Sequence, residues 1–138
     1  MQIKRNATAV WNGSGKDGTG QLTTQSGVLK EAQYGFKSRF ADGIGTNPEE
    51  LIAAAHSGCF SMKLAFNLQE AGLTADEIQT TAVVTLEKSG INQIDLTTSV
   101  KAEGLTAEKL EELALNAKEN CPVSKLLNAN ISLTINLL

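Results

Sequence analysis

One stretch, Thr46 to Gly72 (TNPEELIAAAHSGCFSMKLAFNLQEAG), constrains the fold of this chain more than any other. It reads as one long helix. Thr46 or Asn47 can cap it, Pro48 suits the first helical position, and Glu49 and Glu50 complement the positive end of the dipole. Gly72 is placed as the residue just past its end. Between Leu51 and Leu68 the only charged side chain is Lys63. A helix apolar nearly all round is buried, in a protein interior or in a membrane. The run approaches membrane-span length, but His56, Gly58, Lys63 and Asn67 interrupt it. A buried helix inside a soluble protein is therefore expected, with a thiol, Cys59, at its centre.

The rest of the composition narrows the partners. A length of 138 residues fits one domain, 1–138, that can bury its own core without staples. The net charge of −3 disfavours nucleic acid or an anionic membrane surface. The N-terminal MQIKRNATAVW lacks the apolar segment of a signal peptide, which points to the cytoplasm. Two cysteines in that setting suggest free thiols or a functional redox pair more than a structural bridge.

Along the chain, Ile3–Trp11 has strand-like content, and NGSGKDGTG (Asn12–Gly20) reads as a loop. Its GSGK is no phosphate loop, because Val10 stands where glycine is needed and Asp17 where serine or threonine is needed. Gln21–Ser26 and Val28–Lys30 read as short strands, followed by a strand-like Tyr34–Phe40 and a loop at Ala41–Gly45. After Gly72 the period changes to two. Ile78, Thr80, Ala82, Val84 and Leu86 share one strand face, Ser89-Gly90 makes a hairpin turn, and Ile94–Ala102 alternates with Asp95, Thr97, Ser99 and Lys101. Thr106 caps an amphipathic helix carrying Leu110, Leu113, Ala114 and Ala117. Pro122 stops it and can start another, putting Cys121 beside a helix N-terminus. Ile131–Leu137 alternates again. The order predicts an α+β fold of mainly antiparallel sheet around the long helix.

Each cysteine alone has two readings. Cys59 can be a small packed hydrophobe. A reactive Cys59 needs a cation brought from elsewhere, because the dipole field fades within a turn of the helix end. Cys121 sits where a thiolate is favoured, or it simply packs. Together they are the minimum for a thiol peroxidase, one thiol oxidised to sulfenic acid and the other closing a disulfide. His56 lies one turn before Cys59, but zinc would need further ligands, and neither CxxC nor HxxxH occurs. Arg39, between Ser38 and Phe40, is either held against apolar surface or solvated. Glu49 has a sufficient role in the first turn of the helix.

Three segments, TNPEELIAAAHSGCFSM, NCPVSKLL and SGVLKEAQYGFKSRF, resemble the osmotically inducible protein C branch of the OsmC/organic hydroperoxide resistance family. The match runs essentially end to end, and YGFKSRF favours this branch. The resemblance implies an intertwined homodimer of α+β subunits that reduces organic hydroperoxides without a cofactor. It implies that Cys59 is the peroxidatic thiol, Cys121 the resolving thiol, Arg39 the activating cation, and Glu49 the acid holding that arginine. A dithiol, such as a lipoylated protein, would be the reductant. His56 gains no catalytic role from it.

Helix geometry adds a constraint. Glu49 and Cys59 are ten residues apart, about 15 Å along a straight helix. Either the helix breaks near Gly58, or the two groups of one site come from different chains; the second is favoured. The alternative in another class is a non-catalytic, stress-associated small-molecule-binding protein with inert thiols. A third reading is a purely structural disulfide.

Overall fold

The computed structural model describes residues 1–138, which gather into two compact units, Met1–Leu51 and Ile52–Leu138. The first holds a small antiparallel sheet of β1 (Ala7–Asn12), β2 (Thr19–Thr24) and β3 (Ala32–Tyr34), in that spatial order. Trp11 and Tyr34 pack on Gly20 between them, with ring centroids 5.4 Å apart. A Cβ at position 20 would lie 2.4 Å from the Tyr34 ring and 2.7 Å from Trp11, so this crossing requires glycine.

Two expectations fail in this unit. Val28–Lys30 is a bend rather than a strand, and Glu31 takes a φ of 50° as the chain turns into β3. Phe36–Phe40, expected within a strand, is a short helix, α1. Ser38 explains it: its hydroxyl accepts from the Gly35 N–H at 2.9 Å and lies 3.0 Å from the Gly35 carbonyl. It also donates to the Thr46 carbonyl at 2.8 Å, tying the helix to the chain beyond the loop. Phe36 and Phe40, one turn apart, pack with centroids at 4.9 Å.

The long helix α2 (Pro48–Glu70) forms as expected and is continuous through Gly58. Asn47 is its cap, its Oδ1 accepting from the Glu50 N–H at 2.8 Å. At the other end the Leu73 N–H reaches the Leu68 carbonyl and the Gly72 N–H reaches that of Gln69, with Gly72 at φ 79°. This Schellman closure requires the left-handed residue that glycine supplies.

The second unit pairs β4 (Ala75–Glu87) antiparallel to β5 (Gly90–Ala102), and β6 (Asn130–Leu137) parallel to β5. A parallel neighbour needs a crossover, here α3 (Ala107–Asn120) and the short α4 (Pro122–Leu126). Thr106 caps α3, accepting from the Lys109 N–H at 3.2 Å. Alternation in β5 turns Ile94, Leu96, Thr98 and Val100 inward. They meet Phe60, Leu64 and Leu68 of α2 and Leu110, Ala114 and Ala117 of α3. The buried Thr98 hydroxyl is 3.0 Å from that of Thr80, which accepts from Ser61 of α2 at 2.7 Å. This hydroxyl chain sets the rotation of α2 over the sheet.

The helix is not buried all round. His56, Phe60, Leu64, Asn67 and Leu68 form its buried stripe, whereas Met62 is 65% and Phe66 55% exposed. Both stripes are apolar in sequence, so a pattern that reads as burial on all sides has only one of its faces covered in the single chain.

Candidate active site

Arg39 and Glu49 come together in the first unit. The Arg39 Nε donates to Glu49 Oε1 at 2.9 Å and its Nη2 to the same oxygen at 2.8 Å. α1 presents the arginine and the first turn of α2 the carboxylate. The guanidinium carbon also lies 5.1 Å from the centroid of the Phe40 ring. Glu49 is buried, and its Oε2 has no hydrogen-bond partner within the chain.

Cys59 and Cys121 come together in the second unit. Both are free thiols, and their sulfurs lie 2.7 Å apart, with Cys121 donating to Cys59. Sixty-two residues separate them in sequence. Closing a bond of about 2.05 Å asks for only a small side-chain shift. Cys121 is fully buried at the junction where α3 ends and α4 begins, and Cys59 is half-buried on α2.

Cys121 is the N-cap of α4, yet its side chain caps nothing. The backbone N–H of Val123, in the first turn of α4, points instead to Cys59 and favours its thiolate. Burial opposes this, as do the hydrogen bond and charge repulsion from Cys121, and the Cys59 pKa lies above its ordinary value. Val123 and Ser124 escaped the sequence reading. The signal for Val123 is the proline at the first helical position, which frees the following N–H groups to point at a partner.

His56 is fully buried, with Nε2 2.7 Å from the Ser124 hydroxyl and Nδ1 without a partner. Burial lowers its pKa and holds it neutral. Stability should follow from this. Above about pH 6.5 neither folded nor unfolded chain protonates His56, and its contribution is fully present. As pH falls below that, the unfolded chain takes up a proton that the folded chain resists, and stability drops by up to about 1.4 kcal/mol per pH unit. Urea unfolding between about pH 7 and pH 5 should show this slope flattened in His56→Gln.

No three His, Cys, Asp or Glu side chains converge as metal ligands, and no helix is long and apolar enough to cross a membrane. The model of the OsmC-like protein family matches residues 41–136, which include Glu49 and both cysteines. This chain belongs to that family. It is 45% identical over 137 residues to the peroxiredoxin OsmC of Escherichia coli (strain K12), with 96% of each chain covered. It is 32% identical over 120 residues to the organic hydroperoxide resistance protein OhrB of Bacillus subtilis (strain 168), covering 86% of this chain and 88% of that one. The crystal structure of B. subtilis OhrB has the same OsmC-like fold, with a TM-score of 0.66 at 29% identity over 96% of this chain and 98% of that one. The α+β OsmC-like architecture expected from sequence is thus the observed one.

Proposed function

We propose that this chain is a thiol peroxidase that reduces organic hydroperoxides to alcohols in defence against oxidative or osmotic stress. The observation that carries the reading is that the fold brings Cys59 and Cys121, on different elements, within 2.7 Å of each other. The names of the relatives, a peroxiredoxin and an organic hydroperoxide resistance protein, agree with it. The Cys59 thiolate attacks the distal oxygen of ROOH. The O–O bond breaks, the sulfur is oxidised to Cys59–SOH, and the departing RO⁻ takes a proton to become ROH. The Cys121 thiol then attacks the sulfenic sulfur, forming the Cys59–Cys121 disulfide and releasing water. A dithiol, such as a lipoylated protein, reduces the disulfide and is itself oxidised. No cofactor enters.

Cys59 needs a cation, since its surroundings in one chain raise its pKa. Arg39 is that cation and Glu49 holds it. The continuous α2 supports a shared site in a homodimer, with Arg39 and Glu49 of one subunit serving Cys59 of the other. The exposed Met62 and Phe66 stripe and the unpartnered Glu49 Oε2 are what a second copy would cover. The single domain of 1–138 works in the cytoplasm as half of this dimer.

Cys59 shares a helix face with Ala55, Met62 and Phe66, an apolar wall that favours alkyl, aryl or lipid hydroperoxides. With a dithiol reductant, kcat/KM for cumene hydroperoxide should exceed that for hydrogen peroxide by at least about tenfold. Equal efficiency contradicts the preference; consumption of neither contradicts the peroxidase. The raised Cys59 pKa is the one observation favouring a non-catalytic binding protein with inert thiols, which predicts slow alkylation of Cys59 by iodoacetamide at neutral pH.

A further inference from the structure

His56 and Ser124 have no part in the chemistry above, yet they repeat its geometry. His56 precedes Cys59 by three residues on α2, and Ser124 follows Cys121 by three residues in α4. Two side-chain pairs therefore span the same two elements: the sulfurs at 2.7 Å and, one turn along, His56 Nε2 and Ser124 Oγ at 2.7 Å.

The second pair matters because α4 itself buries no side chain between the fully buried Cys121 before it and Leu127, packed on the core, after it. It is a single helical turn of five residues with no buried side chain, and Leu126 is 78% exposed. Helices this short do not persist on backbone hydrogen bonds alone. The far end of the bond, by contrast, is fixed: His56 is 0% exposed on the core stripe of α2 that also carries Phe60 and Leu64. A buried hydrogen bond to that anchor adds a restraint on the turn between these flanking contacts.

We infer that the His56–Ser124 hydrogen bond is a positioning clamp that holds the first turn of α4, and with it the Cys121 thiol and the Val123 N–H, against Cys59. The clamp sets the effective concentration of Cys121 at the Cys59 sulfur, and so the ease of disulfide closure. Under the peroxidase reading, on which this consequence rests, it also protects the enzyme. An unresolved sulfenate meets a second hydroperoxide, and Cys59–SOH plus ROOH gives Cys59–SO₂H plus ROH, a dead end. Neither residue touches the reacting oxygen; both act through Cys121.

The test uses the full-length chain and needs no hydroperoxide. Equilibrating the Cys59–Cys121 pair in glutathione redox buffers gives its dithiol–disulfide constant. Ser124→Ala should lower that constant at least about tenfold, about 30 mV toward easier reduction. Ser124→Thr, which keeps the hydroxyl, should retain it. An unchanged constant in Ser124→Ala overturns the clamp, as does an equal fall in Ser124→Thr. A lowered melting temperature with an unchanged constant assigns the bond to stability alone and also overturns it. In parallel, cumene hydroperoxide with dimedone trapping should show about tenfold slower resolution of the Cys59 sulfenate in Ser124→Ala. If wild-type chain forms no sulfenate, the peroxidase reading fails, while the glutathione equilibrium still decides the clamp.

Discussion

Cys59→Ser is expected to lower hydroperoxide turnover by at least about a thousandfold, because a serine oxygen cannot be oxidised to a sulfenate equivalent. Cys121→Ser should behave differently. Given one equivalent of hydroperoxide, its Cys59 still reacts once, so one alcohol is released per chain and the sulfenate accumulates, open to dimedone. The two thiols occupy different environments, Cys59 half-buried and Cys121 fully buried. On the proposed mechanism the more accessible Cys59 meets substrate first. Chromatographic counting of cumyl alcohol separates the variants: none for Cys59→Ser, a single burst for Cys121→Ser. A burst from Cys59→Ser would exchange the two roles.

Removing the cation should cost nearly as much. A guanidinium near 4 Å from a thiolate is worth about 4 kcal/mol at an effective dielectric of 20, and solvent screening reduces that. Arg39→Gln should therefore slow Cys59 oxidation at neutral pH by about 100-fold. The sign of the pH dependence is fixed by the titrating group. Raising pH converts the variant's thiol to thiolate, so its deficit shrinks as pH approaches the raised Cys59 pKa. On the proposed mechanism, in which Arg39 ionises Cys59, wild type gains little. The same variant reads out subunit sharing. Arg39→Gln and Cys59→Ser homodimers are each inactive, but mixed and reassembled chains contain heterodimers with one intact shared site. Activity should return to about a quarter of wild type per chain. No recovery after confirmed exchange would place Arg39 and Cys59 of each site in the same chain.

The elements legible in the sequence were those whose signals are local. Asn47, Pro48 and Gly72 mark the ends of α2, and the alternation in 78–86 and 94–102 marks a hairpin with its buried and wet faces. The short helix at Phe36–Phe40 is not legible because its aromatic residues outweigh a single serine, Ser38, whose hydroxyl accepts from the Gly35 N–H three residues back. The partial exposure of α2 was missed for a different reason. Apolar residues on two stripes imply two covering partners, and hydrophobicity does not say whether both lie in one chain.

Of the candidate site residues Arg39, Glu49, Cys59 and Cys121, the structure brings Arg39 against Glu49 and Cys59 against Cys121. The Val123 N–H and the His56–Ser124 bond were not legible, because both depend on α4 lying across α2, a juxtaposition of residues more than sixty apart.

The central claim, that Cys59 and Cys121 are a hydroperoxide-driven redox pair, is tested most directly by one titration. Fully reduced protein is mixed with one equivalent of cumene hydroperoxide, quenched, and its free thiols, intact mass and released alcohol are counted. The account predicts loss of both thiols, a mass lower by about 2 Da without intermolecular crosslinks, and one cumyl alcohol per chain. Two free thiols and unconsumed peroxide would contradict it.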